Sequence, residues 1–180
     1  ILPRRNEFHR PMIANLDQMV IIASGAIPVT DPFLIDRMIT IAESKDCQPI
    51  ICFNKCDLER ADELADVYRK AGFQALQISA ETGESVEELG DLLSEKVSAF
   101  TGNSGVGKSS LVNALFGREV MDTSAIREDD DKGRHTTTCR KLLMLDNGAM
   151  IIDTPGMREL GMWVFENELD ALFPAVEAFI

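Results

Sequence analysis

The chain has 180 residues, 45% of them apolar and 27% charged, with a formal net charge of -12. That length and balance suit one globular domain with a real core, and the acidity argues against a nucleic-acid groove here, because phosphate backbones are met by basic surfaces. No apolar run approaches the ~20 residues that cross a bilayer, and no secretory signal is present. The acidity is concentrated between Glu59 and Glu95 and again at Glu128 to Asp131, and a small basic cluster sits at Arg4, Arg5, His9 and Arg10. Both read as solvated surface. The four cysteines, Cys47, Cys52, Cys56 and Cys139, make no CxxC pair and read as reduced thiols of a cytoplasmic protein.

In chain order, short apolar runs alternate with helical patterns, the signature of βαβ units and a mostly parallel sheet. Residues 1–14 read as a linker and residues 15–180 as one α/β domain. Met19 to Ala23 is a buried strand. Asp31 then caps a helix with Pro32 at its first position, and Leu34, Ile35, Met38, Ile39 and Ala42 follow at helical spacing. Pro49 to Phe53 is a second strand, and Glu59 to Ala71 a charged amphipathic helix stopped by Gly72. Phe73 to Ile78 is a third strand. Ser85 with Glu88 makes a capping box before Val86, Leu89, Leu92 and Leu93. Val97 to Phe100 is a fourth strand, followed by a helix from Lys108 to Phe116. Leu142 to Leu145 and Met150 to Ile152 form a hairpin around Asn147-Gly148. The methionines fall mostly in these apolar stripes and read as core.

Between the fourth strand and its helix, Gly102-Asn103-Ser104-Gly105-Val106-Gly107-Lys108-Ser109 matches GxxxxGK followed by Ser or Thr. Its glycines let backbone N–H groups turn inward around a phosphate. The helix beginning at Lys108 aims its positive end at the same anion. Lys108 would place a charge on the β/γ oxygens, the Ser109 hydroxyl would ligate Mg²⁺, and Ser110 continues the first helical turn.

After the second strand stands Asn54-Lys55-Cys56-Asp57, an NKxD pattern. The Asp57 carboxylate can accept from the N1–H and the 2-amino group of guanine. Adenine offers neither and would leave a buried carboxylate unpaired. Asn54 would tie this loop to the phosphate loop, and the stem of Lys55 would lie over the base. Ser79-Ala80, after the third strand, fits a loop whose backbone N–H meets the guanine O6.

Asp153-Thr154-Pro155-Gly156 is a DxxG pattern closing an apolar strand. Asp153 would hold Mg²⁺ through water, and the Gly156 N–H would touch the γ-phosphate. Upstream lies Gly133-Arg134-His135-Thr136-Thr137-Thr138, in which Thr137 is favoured to meet Mg²⁺ and the γ-phosphate. The charged stretch before it, Glu128 to Gly133, reads as a mobile switch loop. Met157 follows DxxG where many GTPases carry a water-orienting Gln, so His135 is the candidate for that work.

Along the chain the order is NKxD, Ser-Ala, phosphate loop, Thr switch, DxxG, a rotation of the usual GTPase order. Each strand–loop–helix unit is kept intact, so the expected fold is a circularly permuted three-layer P-loop GTPase with a mostly parallel sheet. The rotated order, GRHTTT, Ile152 to Gly161 (IDTPGMRELG) and Leu2 to Gln18 (LPRRNEF…IANLDQ) together resemble the ribosome small subunit-dependent GTPase A family. The resemblance implies a GTP-hydrolysing switch, binding GTP or GDP with Mg²⁺. On the same resemblance it would act in late maturation of the small ribosomal subunit, which would activate it and whose rRNA it would contact mainly through other domains. It also implies an upstream OB-fold domain and a downstream zinc-binding domain, both outside this chain, and a cytoplasmic, monomeric protein that meets no membrane. Rival readings are a nucleotide-dependent binding module with incidental hydrolysis, a permuted GTPase of the large subunit, and an ATPase. Asp57 opposes the last.

Overall fold

The structure, a computed structural model, describes residues 15–121 and 141–153, with the backbone alone described at Lys141 and Asp153. Six strands form one sheet: β1 (Gln18–Ser24), β2 (Gln48–Asn54), β3 (Gln74–Gln77), β4 (Val97–Thr101), β5 (Lys141–Met144) and β6 (Met150–Asp153). Their spatial order is β3-β2-β1-β4-β6-β5. Every neighbouring pair is parallel except the β5–β6 hairpin at the edge. Four helices connect them: α1 (Pro32–Ser44), α2 (Asp62–Lys70), α3 (Val86–Leu93) and α4 (Lys108–Phe116).

The central strands are apolar on both faces because both faces are covered. On β1, Val20 and Ile22 point toward α3 and α4, where they pack with Ile50, Leu89, Leu93, Phe100, Leu111 and Ile151. Ile21 and Ala23 point the other way, onto α1 and α2, with Ile35, Met38, Ile51, Phe53, Ala65 and Tyr68. This is the expected three-layer arrangement. The Tyr68 hydroxyl donates to Asp36 Oδ1 at 2.8 Å, fastening α2 to α1.

Three local details differ from the sequence expectations. Ser85 stands before α3 but takes a left-handed φ of 56° and makes no side-chain cap. A turn in which Gly83 N donates to Ser79 O and Val86 N to Gly83 O sets that backbone, so the hydroxyl does not reach the first N–H groups. Helix α2 begins at Asp62 rather than Glu59. The turn after Lys55, with Leu58 and Glu59 N–H both on Lys55 O, uses up the intervening residues. Met144 is 64% exposed on the edge strand rather than in the core. The hairpin does turn at Asn147-Gly148, with Gly148 alone left-handed (φ 79).

Chain order and strand order together set the site. The chain moves outward from β1 through β2 to β3, then returns to the other side of β1 as β4. Loops leaving β1 and β4 therefore diverge at their carboxyl ends, the crevice where open α/β sheets take ligands. The register Ser24↔Asn54 brings the ends of β1 and β2 level at that edge.

Candidate functional site

The phosphate-loop residues 102–107 run from the end of β4 into α4. Gly107 is the N-cap of α4 with φ 90, and an added Cβ would collide with Asn54 Nδ2. Gly102 has φ 147, and a Cβ there would run into Ile22 O. Both positions need glycine for its left-handed freedom and for the close approach. Val106 is fully buried and anchors the loop, while Asn103, Ser104 and Gly105 are exposed. The Lys108 ammonium donates to Gly102 O at 2.8 Å and Asn103 O at 3.1 Å, folding its side chain back over the loop. Ser109 is half-buried and Ser110 exposed in the first turn of α4.

The NKxD loop lies beside it. Asn54, buried at the end of β2, donates through Nδ2 to Val106 O at 2.9 Å. Its Oδ1 accepts from Ala80 N at 3.1 Å. One amide side chain thus joins the NKxD loop, the phosphate loop and the Ser79-Ala80 loop. The Asp57 carboxylate accepts from Ser79 Oγ at 2.5 Å, so the residue proposed to read the base is held from the third loop. Lys55 adopts φ 64 and donates through Nζ to Ile27 O at 2.9 Å.

Ser79 N donates to Glu84 O at 3.1 Å, and Ala80 N is held by Asn54, so both amides of this loop have partners within the protein. The Glu84 carboxylate accepts from Arg60 Nη1 at 2.8 Å and neighbours the Cys56 thiol. Arg60 and Cys56 together hold the Glu84 carboxyl below the ordinary carboxylate range. Burial, then the Glu84 carboxylate, pushes the Cys56 thiol up to about 11. Burial pushes Cys52, inside β2, up to about 12. Cys47, Cys52 and Cys56 are free thiols.

The donor set fits a nucleoside polyphosphate with a divalent cation. It offers a glycine cradle that no Cβ could enter, the positive end of α4, one ammonium and one hydroxyl on its first turn. Asp153 ends β6, the strand paired with β4, so its backbone lies on the phosphate-loop side of the sheet. Its side chain is not described. His135, Thr137 and Gly156 lie outside the described residues. Sequence reasoning missed Glu84, Arg60 and the Ile27 carbonyl. No motif marks them, since each acts through a contact between loops distant in sequence.

A family model described as RsgA GTPase matches residues 1–163. The chain is 42% identical over 176 residues to the small ribosomal subunit biogenesis GTPase RsgA of Caldanaerobacter subterraneus subsp. tengcongensis, covering 96% of this chain and 60% of that protein. It is 41% identical over 177 residues to the protein of the same name from Actinobacillus succinogenes, covering 91% and 51%. The chain thus spans between half and two thirds of the length of these curated relatives. Among solved structures, YjeQ from Thermotoga maritima matches with a TM-score of 0.64 at 33% identity, over 88% of this chain and 54% of that one. YloQ, described as a circularly permuted GTPase, matches with a TM-score of 0.61 at 28% identity, over 98% and 57%.

Proposed function

We propose a function from one premise: the chain belongs to the RsgA GTPase family. Its fold is a circularly permuted P-loop α/β fold, and the protein carrying it binds GTP and hydrolyses it to GDP and phosphate. The observation that carries this reading is the Asn54 side chain, which links NKxD, the phosphate loop and the Ser-Ala loop at one edge of the sheet. Motifs in rotated sequence order converge on one site.

In the proposed mechanism Asp57 accepts from the guanine edge, while Ser79 keeps its carboxylate oriented. Lys108 exchanges its loop carbonyls for phosphate oxygens. The N–H groups opening α4 stabilise the same charge. Ser109, Asp153 and Thr137 would hold Mg²⁺, which when bound neutralises charge between the β- and γ-phosphates. Gly156 would sense the γ-phosphate, and His135 would orient water in place of the Gln that Met157 replaces.

From the names of its relatives we further propose a role in biogenesis of the small ribosomal subunit, with that subunit and its rRNA as partners and activators. We place this in the cytoplasm, with residues 15–180 as the GTPase domain and residues 1–14 as a linker. An upstream OB-fold domain and a downstream zinc domain are part of the same proposal. Among the described residues no helix is long and apolar enough to cross a membrane.

Phosphate release from GTP, with and without purified small ribosomal subunits, tests this. Slow turnover that subunits accelerate by several powers of ten, and that Ser109→Ala abolishes, is the expected result. No turnover, or turnover of ATP at the same rate, would sink the GTPase reading. Turnover indifferent to subunits would sink only the ribosomal part.

A further inference from the structure

Asp57 can read guanine only if its carboxylate is held still, and the bond from Ser79 cannot do that by itself. Both residues sit on loops, and exposed loops wander unless something ties them together. The ties converge on Glu84, five residues beyond Ser79. Its carboxylate neighbours the thiol of Cys56, the residue immediately before Asp57. The same carboxylate accepts from Arg60 Nη1 at 2.8 Å, and Arg60 Nε reaches Asp62 Oδ1 at 3.2 Å in the first turn of α2. Its backbone carbonyl accepts from Ser79 N at 3.1 Å, and the Ser79 hydroxyl in turn meets Asp57 at 2.5 Å. Thr82 N donates to that same hydroxyl at 3.1 Å and leaves its rotor one orientation toward Asp57.

We propose that Glu84 is a positioning residue for base recognition, fixing Asp57 from both sides. Its side chain holds the turn that follows Asp57 through Arg60, and its main chain holds the Ser79 loop. The proposal rests on the guanine reading above and adds to it. Glu84 touches no base. It sets how sharply Asp57 tells a base with a 2-amino group from one without. Arg60 supports it from α2. The Arg60–Glu84 pair is half-exposed (side chains 47% and 46%), so the side-chain part of the clamp is modest, as for exposed ion pairs generally.

The test compares GDP with IDP, whose hypoxanthine lacks the 2-amino group. Equilibrium affinities of both, and of ADP, are measured for the native protein, Glu84→Ala, Glu84→Gln and Arg60→Ala, alongside the melting temperature without nucleotide. Glu84→Ala is expected to weaken GDP by about two- to fivefold and IDP by less, so the GDP:IDP ratio falls. Glu84→Gln keeps an acceptor oxygen and should restore part of the ratio. Arg60→Ala should move the ratio the same way by about as much, and it serves as the readout if Glu84→Ala does not fold. A merely structural Glu84 would lower the melting temperature and weaken GDP and IDP by the same factor, and that result overturns the proposal. So does an unchanged GDP:IDP ratio in both Glu84→Ala and Arg60→Ala. If the native protein fails to prefer GDP over ADP, the guanine reading falls first and the clamp with it. A GDP:IDP ratio that Glu84→Ala leaves unchanged, in a protein that prefers GDP over ADP, removes the clamp alone.

Discussion

The phosphate side and the base side of the site are built by different means. Around the phosphate loop the shape is made by backbone: Gly102 and Gly107 adopt conformations and approaches that a Cβ forbids, and the α4 terminus supplies the field. Around the base the shape is made by side chains crossing between loops: Asn54 to Val106 and Ala80, Ser79 to Asp57, Arg60 to Glu84. A backbone-built site answers to sterics, so a single substitution fails abruptly and for every nucleotide. A site built from side-chain contacts fails by degrees, and its failures show base preference.

The largest expected effect is therefore on the phosphate side. Gly107→Ala would put a methyl group into Asn54 Nδ2 at φ 90. Such strain costs about 1–3 kcal/mol, and the displaced amide would misplace the loop. GDP and ADP affinities should both fall by at least about 100-fold, with a lower urea midpoint. A variant that keeps its nucleotide affinity would show that the loop can yield, and the contrast would lose its steric half. An intermediate effect is expected on the base side. Ser79→Ala removes the 2.5 Å bond to Asp57, the kind of charge-assisted contact worth roughly 1.5–3 kcal/mol. GDP should weaken by about tenfold or more while ADP stays unchanged. Equal losses for the two would mean that Ser79 supports the whole site rather than its base half.

This difference also explains what could be read in advance. The strands β1 to β4 and helices α1 and α4 are legible because apolar runs and cap residues such as Asp31 act locally; its carboxylate does accept from Phe33 N. The phosphate loop is legible for the same reason: glycine spacing encodes backbone shape directly. Ser85 misled because its hydroxyl matched a capping pattern, while a turn closed by Gly83 had already set its backbone. The start of α2 misled because a charged stretch carries no mark of where the NKxD turn ends. Glu84 and Arg60 were invisible, since their partners are distant in sequence or unmarked by any motif. Lys55 was recognised, but its bond to Ile27 O joins two loops 28 residues apart and has no signature.

The smallest effect concerns the thiols, which lie on the base side: among the described residues, β2 and the NKxD loop hold Cys52 and Cys56, and the phosphate loop holds none. Burial raises both, to about 12 and about 11, from an ordinary 9.0. A group whose pKa is raised by folding contributes stability that is complete below the unfolded value and is lost as pH climbs through the folded one. Stability should therefore be insensitive to these thiols below pH 9 and decline from there toward pH 11 to 12, as the unfolded chain ionises first. Above that range a Cys56 thiolate would face two carboxylates, Glu84 and Asp57, with Arg60 to offset them. Iodoacetamide labelling at pH 8, mapped by peptide mass, gives the direct check. Cys52 and Cys56 should react far more slowly in the folded chain than in urea. Labelling of Cys56 at the unfolded rate would mean that its thiol is not shielded by burial, and the predicted decline in stability above pH 9 would lose its Cys56 part.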